Sequence, residues 1–408
     1  MFFSLISLAI FLWFVLIPHG ITLSAEAQPH VSLMIAAGGT AFLLIVPIIN
    51  ALFLGPFQRA EQNLTPRVME TISQDLPLIW GNIFLFAFPF LCYLLVAALF
   101  LFDNVSKVLL VAVWALAFGI SLDILRGVIK RSMKFLNPFK IVERFVHAAK
   151  ESIKNNKDSE TWQWMDALAD VAMKAIEKHS STLLSDALNG LSQVFRTFLD
   201  SCKSITHPSQ DQGVEAATGR DEVSYTLYYV VNRMEMIFSK AMSKQLEPLC
   251  SQTIATLGKM TVSAAKLDLS LATFPTQILG KLTVRAQENN LDDVAVKSSG
   301  VLLEVAKSIL TQIDITYMEL KDPFVAIVCA LENIAKMSFK KDKTISIRIL
   351  IEPLKALQAI FQEEKYASHP DTPAILSEIN RVLQEFATLE EVLRALPTIP
   401  KEELKAQS

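Results

Sequence analysis

Apolar residues are spread along this chain in two different ways. Up to about residue 127 they run on almost unbroken; beyond that they recur every three or four positions between polar ones. A helix needs about 20 mainly apolar residues to cross the hydrocarbon core of a bilayer. Three uncharged runs meet or approach that length: "MFFSLISLAIFLWFVLIP" (1–18), "SLMIAAGGTAFLLIVPIINALFL" (32–54) and "LPLIWGNIFLFAFPFLCYLLVAALFLF" (76–102). A fourth, 108–122, has 15 uncharged residues. It extends to a span of 105–125 if Lys107 snorkels and Asp123 and Arg126, three apart on one face, reach the headgroups. The region 1–127 therefore reads as about four transmembrane helices, at 1–18, 32–54, 76–102 and 105–125. The first run also fits a signal peptide cleaved after Ala27, although the basic n-region of such a peptide is missing.

Beyond the spans the period is that of amphipathic helices. Asn137 is a good N-cap and Pro138 suits the first helical position, so a helix starts there. Its apolar stripe is Phe139, Val142, Val146 and Ala149, with Lys140, Arg144 and Lys150 off it. The stretches 161–179 and 182–200 each carry a further apolar stripe, and Asp322-Pro323 and Thr372-Pro373 look like cap-plus-proline starts. No stretch alternates convincingly; "TISIRILIE" (344–352) comes nearest to a strand but leads into a helical pattern. This predicts a basic juxtamembrane helix and helical hairpin over 128–202, a polar loop over 203–222, a helical array over 223–396 and a flexible tail over 397–408. Within the array, Leu257-Gly258-Lys259, Leu279-Gly280-Lys281, Val305-Ala306-Lys307 and Ile334-Ala335-Lys336 place small residues at intervals of 22, 26 and 29. Small residues at matching points let helices approach closely, as in stacked helical repeats, but chance recurrence explains the pattern equally well. The fold class expected is all-α: multi-pass transmembrane helices followed by a cytoplasmic α-helical bundle or irregular α-superhelix.

Charge sharpens this division. Only four of the 38 lysines and arginines and six of the 41 acidic residues fall within 1–127. The loop 19–31 has no basic residue and 55–75 has Arg59 and Arg67, whereas 126–157 carries nine basic residues against Glu143 and Glu151. The positive-inside bias then puts 55–75 and everything after 125 in the cytoplasm of a bacterial inner or plasma membrane. Arg126, Lys130, Arg131, Lys134, Lys140 and Arg144 become candidates for contact with membrane lipids, anionic ones in particular. The plainer alternative is that they fix topology only. With a net charge of −3 and no zinc-finger or RNA-binding motif, nothing points to nucleic acid.

Motifs for catalysis are missing. No close cluster of glycines could cradle a phosphate, no histidines stand at HExxH spacing, and no serine lies in a GxSxG elbow. The four cysteines are scattered, which fits neither a disulfide framework nor a zinc site. No cofactor, metal or catalytic residue is expected. Inside the spans Asn50 and Asn82 are the polar candidates, with Pro47 and Pro89 as kinks. The leading expectation is a non-enzymatic, membrane-anchored scaffold that binds protein partners or itself. The alternative is a channel or transport component gated by the helical domain.

Overall fold

The structure is a computed structural model that describes residues 2–16, 26–101, 104–206, 213–316, 318–342 and 346–395. It is 89% helical, with no strand among the described residues. The chain divides into two compact units, Met1–Ile141 and Val142–Ser408.

The N-terminal unit is built from α1 (Phe2–Leu16), α2 (Ala27–Asn63), the short α3 (Arg67–Ser73), α4 (Leu76–Leu101) and α5 (Asn104–Phe135). Three of these are long and apolar enough to cross a membrane: α2, α4 and the part Lys107–Phe135 of α5. The first expected span is described only in part, as α1. At 1.5 Å per residue the 15 residues of α1 cover about 22 Å, against a hydrocarbon core of about 30 Å. Residues 17–25, with the cleavage-site region up to Ser24 and Ala25, lie outside the described residues.

Helices α2 and α4 pack together, and α5 packs on both and on α1. The seam is aromatic and small. Phe42 meets Phe88 edge-on at 4.9 Å, and Phe118 lies 5.8 Å from Phe42. Gly39 sits so close to α4 that a Cβ there would come within 2.7 Å of Cys92 Cβ, and a Cβ at Gly38 within 3.2 Å of Trp114. A Cβ at Gly119 would overlap Ser7 of α1. Close approach at glycines increases the dispersion contact between helices. The outward faces keep their large apolar side chains exposed, Leu44, Ile48, Phe90 and Leu94 among them.

Polar groups in this unit find partners across helices. The Tyr93 hydroxyl and Thr40 Oγ1 lie 2.8 Å apart, and Thr40 donates to the Ala36 carbonyl. Lys107 donates to Gln28 Oε1, whose amide nitrogen donates to the Leu99 carbonyl, tying one end of α2, α4 and α5. Asp123, expected beside Arg126 at the headgroups, instead accepts from the Ser4 backbone N–H (2.8 Å) and hydroxyl (2.6 Å). It thereby satisfies the free donors at the start of α1, where the helix dipole favours an anion.

The C-terminal unit takes α6 (Pro138–Lys154) from Val142 onward, then α7 (Asp158–Glu177), α8 (Ser181–Thr206), α9 (Gly213–Ser243), α10 (Glu247–Ala265), α11 (Thr273–Glu288), α12 (Asp292–Gln312), α13 (Lys321–Lys341), α14 (Ile347–Leu350), α15 (Glu352–Gln362), α16 (Glu364–Ala367) and α17 (Thr372–Ala395). From α7 to α13 each helix packs on the next, and from α7 to α11 each also packs on the next but one. Helices α8, α10, α12 and α15 form one layer, and α7, α9, α11, α13 and α17 the other. Such i-to-i+2 stacking is the geometry of an α-helical array. Two of the small residues noted in the sequence lie at its crossings: a Cβ at Gly258 would meet Val301 at 2.5 Å, and one at Gly280 would meet Ala330 Cβ at 2.7 Å.

The turns recur as well. Asn156, His179, Gln245 and Asn290 have φ between 51° and 64° and close α6, α7, α9 and α11. At each, the following N–H reaches back five residues, as in Leu246 N–H to the Ala241 carbonyl and Leu291 N–H to the Ala286 carbonyl. This is the Schellman cap. The expected polar loop over 203–222 is shorter than the composition implied: α8 runs to Thr206 and α9 begins at Gly213, with 207–212 outside the described residues. "VEAATGRDE" has enough alanine, glutamate and arginine to hold helix. The tail 397–408 also lies outside the described residues.

Candidate membrane-surface site

Helix α5 does not stop where its apolar run ends. It continues to Phe135, because Val128 and Phe135 still bury in the core of the N-terminal unit. The basic cluster is thus carried out on the same rigid helix. Arg126, Lys130 and Lys134 stand four apart on one exposed stripe. Arg131 lies about 100° round the helix and does something else. Its Nε is 2.7 Å from a carboxylate oxygen of Asp75, whose side chain is only 7% exposed. Asp75 in turn caps α4, accepting from the Leu78 N–H at 3.1 Å.

On α6 the cap is as expected: Asn137 Oδ1 accepts from the Phe139 N–H at 3.0 Å. The buried stripe is rotated from the expected one. It runs through Ile141, Val142, Phe145, Ala149 and Ile153, while Phe139 is 40% exposed. Within the C-terminal unit this face is occupied, with Phe145 5.5 Å from Trp164 and Val146 against Gly190 of α8. The apolar face of α6 is therefore spent on protein packing and is not free to lie in a lipid surface. Lys140 is exposed and Arg144 half-buried, and the division between the units falls between them.

The two intramembrane candidates differ. Asn50 is half-buried on α2. Asn82 donates to the carbonyl of Leu78 on its own helix at 3.0 Å, while its Oδ1 is buried with no hydrogen-bond partner. Asn82 thus satisfies its donor locally, as polar residues in apolar helices do.

The C-terminal unit holds two features the sequence reading missed. Along α9, Tyr225 and Tyr228 are each 55% exposed beside Tyr229 and Met236. Trp162 of α7 lies 5.1 Å from Tyr225 and 6.0 Å from Tyr229, and Tyr228 stacks on Phe274 at 5.4 Å. Arg233 lies over the Tyr229 ring at 5.0 Å and 2.7 Å from Asp166. Burial and then the neighbouring Asp166 hold the Tyr229 hydroxyl above the usual phenol range. The legible signal was "YTLYY", which gathers three of the six tyrosines into five residues.

The second feature is Cys329, Glu332 and Glu378, whose ligand atoms fall within 4.8 Å of one another. Their carboxylates are already engaged. Lys336 reaches Glu332 at 2.6 Å, and Arg381 reaches Glu332 at 2.8 Å and Glu378 at 2.7 Å. Burial pushes the Glu332 carboxyl up, yet these two cations win and its pKa lies below the ordinary value. A metal would have to displace both cations, so the cluster reads as an ion-pair network joining α13 to α17. The thiols are guarded by burial, with Cys250 pushed up to about 12.

No family model matches the chain, and no curated protein matches it. Among solved structures, one described as a "Circular tandem repeat protein with novel repeat topology and enhanced subunit contact surfaces" aligns with 96% of this chain and 99% of its own length, at 13% identity and a TM-score of 0.32. At that score the alignment establishes neither a shared fold nor a shared role.

Proposed function

We propose that the protein is a membrane-anchored scaffold. Its N-terminal unit sits in the bilayer and its C-terminal helical array presents a surface to other proteins. The observation that carries the reading is the outward apolar surface of a unit with three helices each long enough to cross. Water does not tolerate a continuous patch of that kind, whereas lipid does. Arg126, Lys130 and Lys134 then form a basic collar at the end of α5. By the positive-inside bias that end faces the cytoplasm, where anionic headgroups attract it. In the array, Tyr225, Tyr228, Met236 and Arg233 are the residue types that dominate protein contacts.

Reporter fusions after residues 60 and 104 and at the C-terminus test the anchor. The expected pattern is cytoplasmic at 60 and at the C-terminus and external at 104. A C-terminus on the far side overturns the reading. Pairing Tyr225→Ala with Tyr228→Ala should release a co-purifying partner without changing membrane retention.

A second reading, a channel or transport component, draws on the orphaned Oδ1 of Asn82. Solute flux in liposomes that is lost in Asn82→Leu would favour it over the scaffold.

A further inference from the structure

We propose that the groove between α4 and α5 holds one acyl chain of an anionic phospholipid, with its phosphate met by Arg131. The proposal rests on the membrane reading above and goes beyond the exposed collar, because it assigns a built site. The groove has a volume of about 600 Å³, and its walls include Trp80, Phe84 and Ala87 of α4 with Ile124 and Gly127 of α5. That volume lies within the range of small-molecule pockets.

Two glycines shape it in opposite ways. Gly81 draws the helices together, since a Cβ there would come within 2.8 Å of Val128 Cγ2. Gly127 leaves a gap, since a Cβ there meets nothing within 4 Å. The result is an apolar slot running inward from Arg131 past Gly127 to Ile124, about 10 Å along the axis.

The mouth is charged to match. Asp75 holds the Nε edge of Arg131 while the side chain stays 42% exposed. The terminal amino groups of a guanidinium so held are the donors that suit a phosphate in two-point contact. Exposed Lys130 and Lys134 add positive charge on the same stretch of α5. Trp80, 65% exposed, borders the slot, as amphipathic indoles do at headgroup depth. A free phosphate would have no use for the apolar slot, whereas a phospholipid uses both parts.

The test uses the full chain, extracted in mild detergent, stripped of lipid and examined by native mass spectrometry with added phosphatidylglycerol or phosphatidylcholine. Wild type should retain one phosphatidylglycerol in preference to phosphatidylcholine. Gly127→Leu, whose Cβ has open space around it, puts a side chain into the slot and should lose that adduct at unchanged helix content. Arg131→Gln should lower phosphatidylglycerol occupancy roughly fivefold, the factor one basic side chain contributes near anionic lipid. If Gly127→Leu and Arg131→Gln both keep the adduct while the protein resists carbonate extraction, the groove site is wrong and the membrane reading stands. A change of oligomeric mass in Gly127→Leu with lipid binding intact makes a second copy the occupant and also overturns it, as does equal competition by inorganic phosphate. Release of wild type by carbonate brings down both.

Discussion

Phe90 of α4 and Phe324 of α13 are the same side chain on helices of 26 and 21 residues, yet Phe90 is 69% exposed and Phe324 is fully buried. The helices around them account for this. Helix α13 carries Lys321, Asp322, Glu332, Lys336, Lys340 and Lys341, so it has a polar face to turn to water and an apolar one to turn inward. Helix α4 has no charged residue at all. It can bury only the stripe that meets α2 and α5, and every other side is apolar too. Burial in one unit follows from amphipathic sorting. In the other it follows from which helices touch, and the apolar faces that touch none stay exposed.

Arginine placed on the outside of each unit sharpens that contrast most. Phe90→Arg is expected to cost about 2.5–3.5 kcal/mol of membrane insertion, read as loss from the carbonate-resistant fraction. Val296→Arg, at a site 75% exposed in the array, should change stability by no more than about 0.5 kcal/mol. Equal indifference at both positions would break the comparison.

Glycines come next. Gly280→Val drives a branched side chain into Ala330 and should destabilise the array by about 1–3 kcal/mol in a thermal melt of the detergent-solubilised chain. A Cβ at Gly300 meets nothing within 4 Å, so Gly300→Val should be neutral or slightly stabilising.

The ion-pair network gives a pH-dependent test specific to the array. The Glu332 carboxyl has a lowered pKa in the fold, so its contribution is full above the ordinary value of 4.5 and fades as pH falls through the folded value. Lys336 and Arg381 are nearly half exposed, which limits the effect. Glu332→Gln should cost about 1–2 kcal/mol at pH 7, and the gap to wild type should close on acidification below pH 4.5. A gap that persists unchanged at low pH would mean that packing, and not charge, joins α13 to α17.

The smallest effect should be a gain. His179 occupies a left-handed position at φ 55° that costs a side chain about 1–2 kcal/mol, part of which glycine gives back in chain entropy. His179→Gly should stabilise the array by about 0.5 kcal/mol.

Much of this fold is legible in sequence, because the two periodicities are local. The runs at 32–54 and 76–102 became α2 and α4, and Asn137-Pro138 began α6 where the cap chemistry says it should. The stacking of the array was harder to see. The Gly-Lys and Ala-Lys recurrences mark real crossings at Gly258 and Gly280, but the clearer signature lies in the turns. Gln245-Leu246-Glu247 and Asn290-Leu291-Asp292 have the same order of left-handed residue, leucine and acid. The two turns even meet, since the Glu247 side chain accepts from the Asp293 N–H at 3.0 Å and the Gln245 side chain donates to the Asn289 carbonyl. Spacing alone hid them, because the helices between differ in length.

By itself the sequence determined that the described residues are helical and without strand, where apolar runs give way to amphipathic ones, and which end carries the basic cluster. Each depends on neighbours a few positions apart, within reach of a helical period or a cap. Only the tertiary structure decided that Asp123 would receive the start of α1, that Arg131 would lean on Asp75 while Lys130 and Lys134 stayed exposed, and that the apolar face of α6 would be taken up by α7 and α8. Those partners lie tens of residues or more away along the chain, and a helix of given sequence can turn through 100° without changing its pattern. What fixes the rotation is packing, through the close approaches at Gly39, Gly81 and Gly190, and packing is a property of pairs of helices.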